Sequence, residues 1–210
     1  METQTIKEEV AVNRMFKKII YGKKVILFDF VPSDLEHFVR LHREDKNGYM
    51  QNYCLKKMTE EEAMKFTVAL FMAGRLKCWS VYLKQNSLKN LLENRRAGFI
   101  YLDNMTSFSA NISGVMDTAV MKGLLKQIRH DKITFAEDSI RTLVNHCFND
   151  LGLKRIETTV LSNNRKALAL DKKCGFVEEG KFRKAFQMDD KFIDIVQLSI
   201  LNSNKGWKNE

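Results

Sequence analysis

The sequence contains few cysteines, and it has no long hydrophobic run, internal repeat or low-complexity segment. Cys54, Cys78, Cys147 and Cys174 lack the spacing of metal ligands, and two of them fall on predicted buried helix faces. We therefore expect small hydrophobic side chains in a reducing, cytoplasmic compartment, and no metal site. Because no run of about eighteen apolar residues occurs and the polar start METQTIKEEV is not that of a signal peptide, no membrane association is expected.

The composition indicates one domain with a positive charge. A length of 210 residues and a hydrophobic content of 44% allow one domain with a real core. The formal net charge of +9 is compatible with attraction to an acidic ligand, to nucleic acid or to an acidic protein. It is equally compatible with a solvated surface, because the lysines are spread along the chain. No nucleic-acid recognition motif occurs, so direct nucleic-acid binding is not expected.

The clearest pattern covers residues 134–176 and predicts two helices with a strand between them. The first helix has a capping-box start at Thr134 and Glu137 and a stop signal at Gly152. A unit of this kind, with short connections, has to cover a sheet. The buried face of the first helix has the three-and-four spacing of an amphipathic helix: Ile140, Leu143, Val144, Cys147, Phe148 and Leu151.

The strand of this unit is predicted at residues 155–161. Asn163 or Asn164 can cap the second helix, which ends at Gly175. Earlier strands are predicted at 24–31, 77–84, 97–102 and 110–116. We assign residues 1–22 to an N-terminal arm or helix, 23–201 to the domain and 202–210 to a frayed tail.

Three further helices are predicted outside this unit. Two of them, with capping boxes at Ser33 and Glu36 and at Thr59 and Glu62, lie between the first and second strands. The third is an added amphipathic helix near residues 117–130. Three roles are open for this added helix: packing in the core, covering a neighbouring site as a lid, and presenting a surface to a partner or a second copy.

One set of residues resembles a known family in both type and spacing. The set comprises Phe148, Leu151, Gly152, Leu153, Arg155, Ile156, Asn164, Lys173, Gly175, Phe176, Glu179, Gly180 and Arg183. It resembles the C-terminal half of the GNAT acyltransferases, and most closely their ribosomal-protein N-acetyltransferase branch. The resemblance implies a single α/β (α+β) GNAT-type domain. Its helices would flank a mixed, mostly antiparallel sheet of about six to seven strands, splayed between the fourth and fifth strands.

The resemblance also implies a site for acetyl-CoA in the gap between those two strands. The pantetheine arm would pair with the fourth-strand backbone at Gly114, Val115 and Met116, and Asn164 would either bind this arm or serve only as a helix cap. The pyrophosphate would bind at the start of the helix near residue 134, where unpaired N–H groups and the helix dipole favour an anion. The residues implied there are Lys132, Ile133, Thr134, Phe135 and Ala136, of which only Ala136 fits the glycine-rich pattern of the family.

Two departures from the family concern catalysis. The fourth-strand Glu, a plausible general base in the ribosomal-protein branch, corresponds to Asn111, which can orient a water or a substrate but cannot accept a proton at neutral pH. The Ser that would assist the leaving thiolate corresponds to Ala167. Asp117 and His130 are the titratable groups nearest to the expected thioester, so either could replace the base. The catalytic candidates are therefore Asp117, His130 and Asn111.

Two functions stay open at this point. The first is an N-acetyltransferase that moves the acetyl group of acetyl-CoA to an amine by direct attack, with a protein N-terminus, a lysine or a small amine as acceptor. The second is a catalytically degenerate GNAT-fold protein that binds or inhibits a protein partner. The added helix and the basic surface could in either case serve a protein partner or a homodimer.

Overall fold

The computed structural model describes residues 19–44, 55–84, 96–117, 120 and 134–202, and the elements within them end in a long hairpin. Their bounds are β1 (Ile19–Tyr21), β2 (Val25–Asp29), a 3-10 turn (Pro32–Asp34), α1 (Leu35–Glu44), α2 (Glu60–Met72), β3 (Leu76–Leu83), β4 (Gly98–Asp103), β5 (Ser109–Met116), α3 (Phe135–Asn149), β6 (Arg155–Leu161), α4 (Arg165–Cys174), β7 (Val177–Met188) and β8 (Lys191–Leu201). The helix predicted near 117–130 lies, apart from residues 117 and 120, outside these described residues.

Eight strands form one sheet in the order β1-β2-β3-β4-β5-β6-β8-β7. Neighbouring strands are antiparallel except for β5 and β6, which run parallel because α3 lies between them in the chain. The predicted mixed, mostly antiparallel sheet with flanking helices is thereby confirmed. Within the described part of the chain, no helix is long and apolar enough to cross a membrane.

The sheet has one strand more than predicted. Residues 19–21 were expected to belong to an N-terminal arm or helix, but they form β1 and pair with β2 in antiparallel register. A strand of three residues is too short for alternating hydrophobicity to reveal it in the sequence. Residues 1–18 of the predicted arm are outside the described residues.

Helices cover both faces of the sheet. On one face, α3 and α4 contribute Leu143, Cys147 and Cys174 to a core that also contains Leu27 and Ile156. On the other face, α1 and α2 pack in a second core with residues of β3, β4 and β5: Phe38, Val39, Ala63, Cys78, Phe99, Tyr101 and Val115. Alternation along β5 thus sends neighbouring side chains to opposite cores, which fixes its register.

Of the three predicted capping boxes, one is complete, one is half formed and one is absent. Thr59 and Glu62 form a complete capping box, with hydrogen bonds of 2.8 and 3.3 Å. Thr134 accepts from the Glu137 N–H group at 3.1 Å. The predicted box at Ser33 is wrong, because Pro32–Asp34 forms a 3-10 turn there.

The end of the domain is more ordered than predicted. Asn202, the first residue of the expected frayed tail, is 4% exposed. Its N–H group donates to the Lys154 carbonyl at 2.9 Å, and its side-chain amide donates to the Leu153 carbonyl at 3.3 Å. Asn202 therefore belongs to the folded domain, and residues 203–210 are outside the described residues.

Candidate active site

β5 and β6 separate part of the way along the sheet. Residues 109–111 of β5 pair with residues 155–157 of β6. Beyond these pairs, among the described strands, residues 112–116 pair with β4 alone and residues 158–161 pair with β8 alone. A gap therefore opens between β5 and β6, which are the predicted fourth and fifth strands.

The peptide groups of β5 alternate between β4 and the gap. The Asp117 N–H group donates to the Ala97 carbonyl at 2.8 Å, so odd-numbered positions face β4. The Phe108 carbonyl accepts from the Arg155 N–H group at 3.1 Å, so even-numbered positions face β6. The N–H and C=O groups that point into the gap are consequently those of Ile112, Gly114 and Met116.

This alternation corrects one predicted cofactor contact. The Val115 N–H group was expected to face the cofactor, but it points to β4, opposite Phe99. The side chain of Val115 belongs to the core under α1 and α2. Gly114 and Met116 keep their predicted position at the gap. A Cβ atom at Gly114 would lie 2.9 Å from the Phe99 carbonyl oxygen, so the close approach of β4 requires glycine here.

α3 begins at the edge of the sheet where the gap opens. The Asp138 carboxylate accepts from the N–H groups of Lys24 at 2.7 Å and Val25 at 3.1 Å, which fixes the first turn of α3 to the start of β2. The strand register places the start of β2 and the end of β5 at the same edge of the sheet. The N-terminus of α3 is therefore beside the mouth of the gap.

The first turn of α3 retains donors for an anion. Thr134 is the N-cap, and its hydroxyl oxygen accepts from the Glu137 N–H group. The N–H groups of Phe135 and Ala136 have no acceptor in the described part of the chain, and they lie at the positive end of the helix dipole. The side chain of Phe135 is 7% exposed and packs in the core, so its backbone alone faces outward. Lys132 and Ile133 are outside the described residues.

Glu137, also in the first turn of α3, forms ion pairs with two cations. Its carboxylate does not complete the predicted capping box but pairs with Arg141 at 3.1 Å and with Lys173 of α4 at 2.6 Å. These two cations lower the pKa of Glu137, the hydrogen bond from Lys173 being the larger cause. The Glu137 carboxylate in the first turn of α3 is thus paired with two cations, which weakens its repulsion of an anionic ligand.

Asn164 follows β6 and can both cap α4 and bind a ligand. Its Oδ1 atom accepts from the Ala167 N–H group at 3.2 Å, so Asn164 rather than Asn163 is the N-cap. Its Nδ2 atom is buried and has no hydrogen-bond partner among the residues that the structure describes. Burying an unpaired amide donor costs about 1–3 kcal/mol, and a ligand carbonyl would remove that cost. The predicted contact of Asn164 with the cofactor therefore has a free donor to make it.

Asp117, a predicted catalytic candidate, forms a pair with His37 of α1. The Asp117 Oδ2 atom lies 3.2 Å from the His37 Nε2 atom, and Oδ1 accepts from the Val120 N–H group at 3.1 Å. Burial lowers the pKa of His37 below 6.5, although the hydrogen bond with Asp117 acts to raise it, while Arg40 and Arg96 lower it further. A neutral imidazole and a carboxylate thus meet at the end of the strand that borders the gap.

Asn111 lies at the closed end of the gap, away from Asp117. Its side chain hydrogen-bonds to Asp103 across the sheet, and burial raises the pKa of Asp103. Asn111 and Asp117 are six positions apart along the chain, which corresponds to roughly 20 Å in a strand. The structure therefore does not bring these two catalytic candidates together, and His130 is outside the described residues.

His37 was missed by sequence reasoning. It lies in a helix whose periodicity indicates only a buried stripe, and its partner Asp117 is 80 positions away in the chain. No local motif connects the two residues. A histidine next to the buried stripe of a helix and an aspartate directly after a strand are the only sequence signals available.

The chain belongs to the GNAT acetyltransferase family. The family described as "Acetyltransferase (GNAT) domain" matches residues 24–177, which is most of the chain. The solved structure of a chimera of the spermidine N-acetyltransferase SpeG from Vibrio cholerae and hSSAT superposes with a TM-score of 0.66 at 21% identity, covering 84% of this chain and 95% of that one. A complex of the Vibrio cholerae enzyme with CoA and spermine superposes with a TM-score of 0.63 at 19% identity, with coverage of 84% and 95%.

Curated relatives match over shorter segments. The probable N-acetyltransferase YjcK of Bacillus subtilis is 32% identical over 43% of this chain and 50% of its own length. The spermidine N(1)-acetyltransferase of Vibrio cholerae is 34% identical over 35% of this chain and 43% of its own length. The putative ribosomal N-acetyltransferase YdaF of Bacillus subtilis is 31% identical over 33% of this chain and 37% of its own length. The matches thus span half or less of these relatives, and they do not single out the predicted ribosomal-protein branch.

Proposed function

We propose that this protein is an N-acetyltransferase that moves the acetyl group of acetyl-CoA to an amine. The observation that carries the proposal is the gap between β5 and β6, into which the peptide groups of Ile112, Gly114 and Met116 point. A row of free N–H and C=O groups inside a sheet can pair with an extended ligand that itself contains amides. The pantetheine arm of acetyl-CoA is such a ligand.

The residues around the gap fit the other parts of acetyl-CoA. The pyrophosphate would accept from the Phe135 and Ala136 N–H groups at the start of α3, where the helix dipole attracts an anion. The Asn164 Nδ2 atom would donate to a carbonyl of the pantetheine arm. The thioester would then lie near Gly114 and Met116, whose N–H groups can stabilise the negative charge that develops on its oxygen.

The acceptor would approach from the face of the sheet under α1 and α2, because Asp117 and His37 lie on that face. One relative is named as a spermidine acetyltransferase and another as a putative ribosomal N-acetyltransferase, so both names imply an amine as acceptor. A polyamine, a lysine and a protein N-terminus are therefore the acceptor classes to compare.

The experiment has a binding step and a turnover step. Acetyl-CoA at a hundred times its Kd should stabilise the protein by about 2.7 kcal/mol in a thermal or chemical unfolding assay. Release of free CoA thiol, with product mass, would then be measured with spermidine, with a free lysine and with peptides that carry free N-termini. Turnover of at least one amine is expected.

The outcome also decides the alternative function. Absence of stabilisation by millimolar acetyl-CoA would contradict the enzymatic proposal and support a degenerate GNAT-fold protein that acts through a partner. Stabilisation without turnover of any amine would show a bound cofactor without catalysis, and this also contradicts the enzymatic proposal.

A further inference from the structure

We propose that His37 is the group that takes the proton from the incoming amine, and that Asp117 fixes its tautomer and orientation. The inference rests on the proposed acetyl transfer, and it assigns the base that the Asn111 position cannot supply. Its basis is the geometry of the pair at the end of β5, where the Asp117 carboxylate and the His37 Nε2 atom are 3.2 Å apart.

The hydrogen bond determines which nitrogen of His37 is basic. An ionised carboxylate can only accept, so the proton of neutral His37 resides on Nε2 and is donated to Asp117. The Nδ1 atom then carries the lone pair, and it has no hydrogen-bond partner in the described ranges of the chain. Asp117 is itself held by the Val120 N–H group at Oδ1 and through its own N–H group by Ala97. Hydrogen bonds to both the side chain and the backbone of Asp117 therefore fix the position of the pair.

The surroundings of His37 keep it neutral at pH 7. Burial lowers its pKa, and the cations of Arg40 on the same helix and of Arg96 just before β4 act in the same direction. Asp117 is the facing group that raises it, and the Phe99 ring contacts His37 edge-on at a centroid distance of 5.5 Å. A neutral imidazole has a lone pair with which it can accept a proton from the incoming amine.

The position of His37 matches the reactive end of the gap. Phe99, against which His37 lies, pairs with Val115 in the sheet register. Gly114 and Met116, the neighbours of Val115, have the peptide groups that point into the gap. Asp117 directly follows Met116, so the His37–Asp117 pair is next to the site assigned to the thioester. Asn111 is near the opposite end of β5.

The proposed step is balanced in protons and electrons. The acceptor arrives as an ammonium ion and transfers one proton to the Nδ1 atom of His37. The lone pair of the resulting amine attacks the thioester carbon, so that a C–N bond forms and the C–S bond breaks. The thiolate of CoA leaves with the sulfur electron pair and takes a second proton from the attacking nitrogen. His37 then returns its proton to water, and the products are the amide, CoA thiol and one proton.

The test compares three variants with the wild-type chain: His37→Gln, Asp117→Asn and, as a matched control, Glu36→Gln. Glu36 is an exposed residue next to His37 on α1 and is not in the proposed machinery. For His37→Gln, kcat should fall by about 10²–10⁴-fold while KM for acetyl-CoA changes by less than about threefold. The acid limb of the kcat–pH profile should also disappear. Asp117→Asn should lower kcat in the same direction, and Glu36→Gln should match the wild type.

Three measurements separate catalysis from folding, one of them on a further variant, His37→Ala. Thermal stabilisation by acetyl-CoA should be the same for wild type and His37→Gln, and added imidazole should restore part of the turnover of His37→Ala. Side-chain nitrogen NMR should show that neutral His37 carries its proton on Nε2, a result independent of activity.

The outcomes differ for the two proposals. If the wild type acetylates an amine and His37→Gln does so equally fast with an unchanged pH profile, the assignment of His37 is refuted and the enzymatic function stands. A proton on Nδ1 at neutral pH would refute it as well. If the wild type binds no acetyl-CoA, the proposed function fails, and the role of His37 fails with it.

Discussion

Asn164 is the residue at which the structural and the functional role can be separated by one pair of substitutions. Its Oδ1 atom caps α4 by accepting from the Ala167 N–H group, and its buried Nδ2 atom is the donor proposed for the pantetheine arm. Asn164→Asp retains an oxygen for the cap and removes the donor. Asn164→Ala removes both.

The expected magnitudes follow from these two hydrogen bonds. Loss of an N-cap costs about 0.5–2 kcal/mol, so Asn164→Ala should lower the free energy of unfolding by at most that amount, because it also removes the buried unpaired Nδ2 donor. Asn164→Asp keeps the cap and should lower the free energy of unfolding less than Asn164→Ala does. Loss of one hydrogen bond to the ligand costs about 0.5–1.5 kcal/mol, which raises the Kd for acetyl-CoA by roughly 2–13-fold in both variants. The Asp variant also places a negative charge near an anionic ligand, which acts in the same direction.

The assay is chemical unfolding of the free protein together with calorimetric titration of acetyl-CoA. Thr59→Ala is the matched control, because Thr59 is also an N-cap but belongs to α2 and has no proposed contact with the cofactor. It should reduce stability without changing the Kd. An Asn164→Asp variant that binds acetyl-CoA as tightly as the wild type would show that Asn164 is only a helix cap.

Three further predictions concern stability. Asp34 and Arg96 form an ion pair whose side chains are 2% and 4% exposed, so Arg96→Met should lower the free energy of unfolding by about 3–5 kcal/mol in urea. The double variant Arg96→Met with Asp34→Asn should recover most of that loss, because no unpaired charge then stays buried. Equal stability of the single and double variants would contradict this. Gly98→Ala should lower the free energy of unfolding by about 1–3 kcal/mol, because Gly98 has a φ of +151° and a Cβ atom would lie 2.2 Å from the Val115 carbonyl oxygen. An unchanged Tm would contradict this prediction. Burial raises the pKa of Asp171 from 3.8 to about 7, so its folded form holds a proton that the unfolded chain releases, and stability should fall as pH rises from about 4 to 7. Asp171→Asn should therefore stabilise the protein at pH 8 by at most about 4 kcal/mol but not at pH 3, and a pH-independent effect would refute the assignment.

The helix–strand–helix unit shows how much of the fold the local sequence contains. Residues 155–161 form β6 and Gly175 ends α4, both as predicted, since alternation, caps and left-handed glycines act within a few residues. The parallel pairing of β5 with β6 also follows from a crossover connection that contains α3. Two elements were predicted wrongly. β1 has only three residues, which is too short for a pattern. The cap expected at Ser33 is replaced by a 3-10 turn around Asp34, whose carboxylate accepts from the distant Ser80 hydroxyl at 2.6 Å.

Less of the candidate site than of the fold could be predicted from the sequence. The resemblance placed Gly114, Met116 and Asn164 at the gap, but the direction of each peptide group depends on which neighbouring strand it bonds. Val115 was therefore assigned to the wrong side. His37 could not be connected with Asp117, because helix packing and not a sequence motif brings them to 3.2 Å.

The sequence by itself determined β2 to β6, the four helices, the start of α3 at Thr134, the end of α4 at Gly175 and the family resemblance, because hydrophobic period, capping and glycine positions are local properties of the chain. The tertiary structure alone decided where β5 leaves β6, which peptide groups face the gap and that a histidine meets Asp117. Each of these results from contacts between residues far apart in the chain, and such contacts leave no fixed spacing in the sequence.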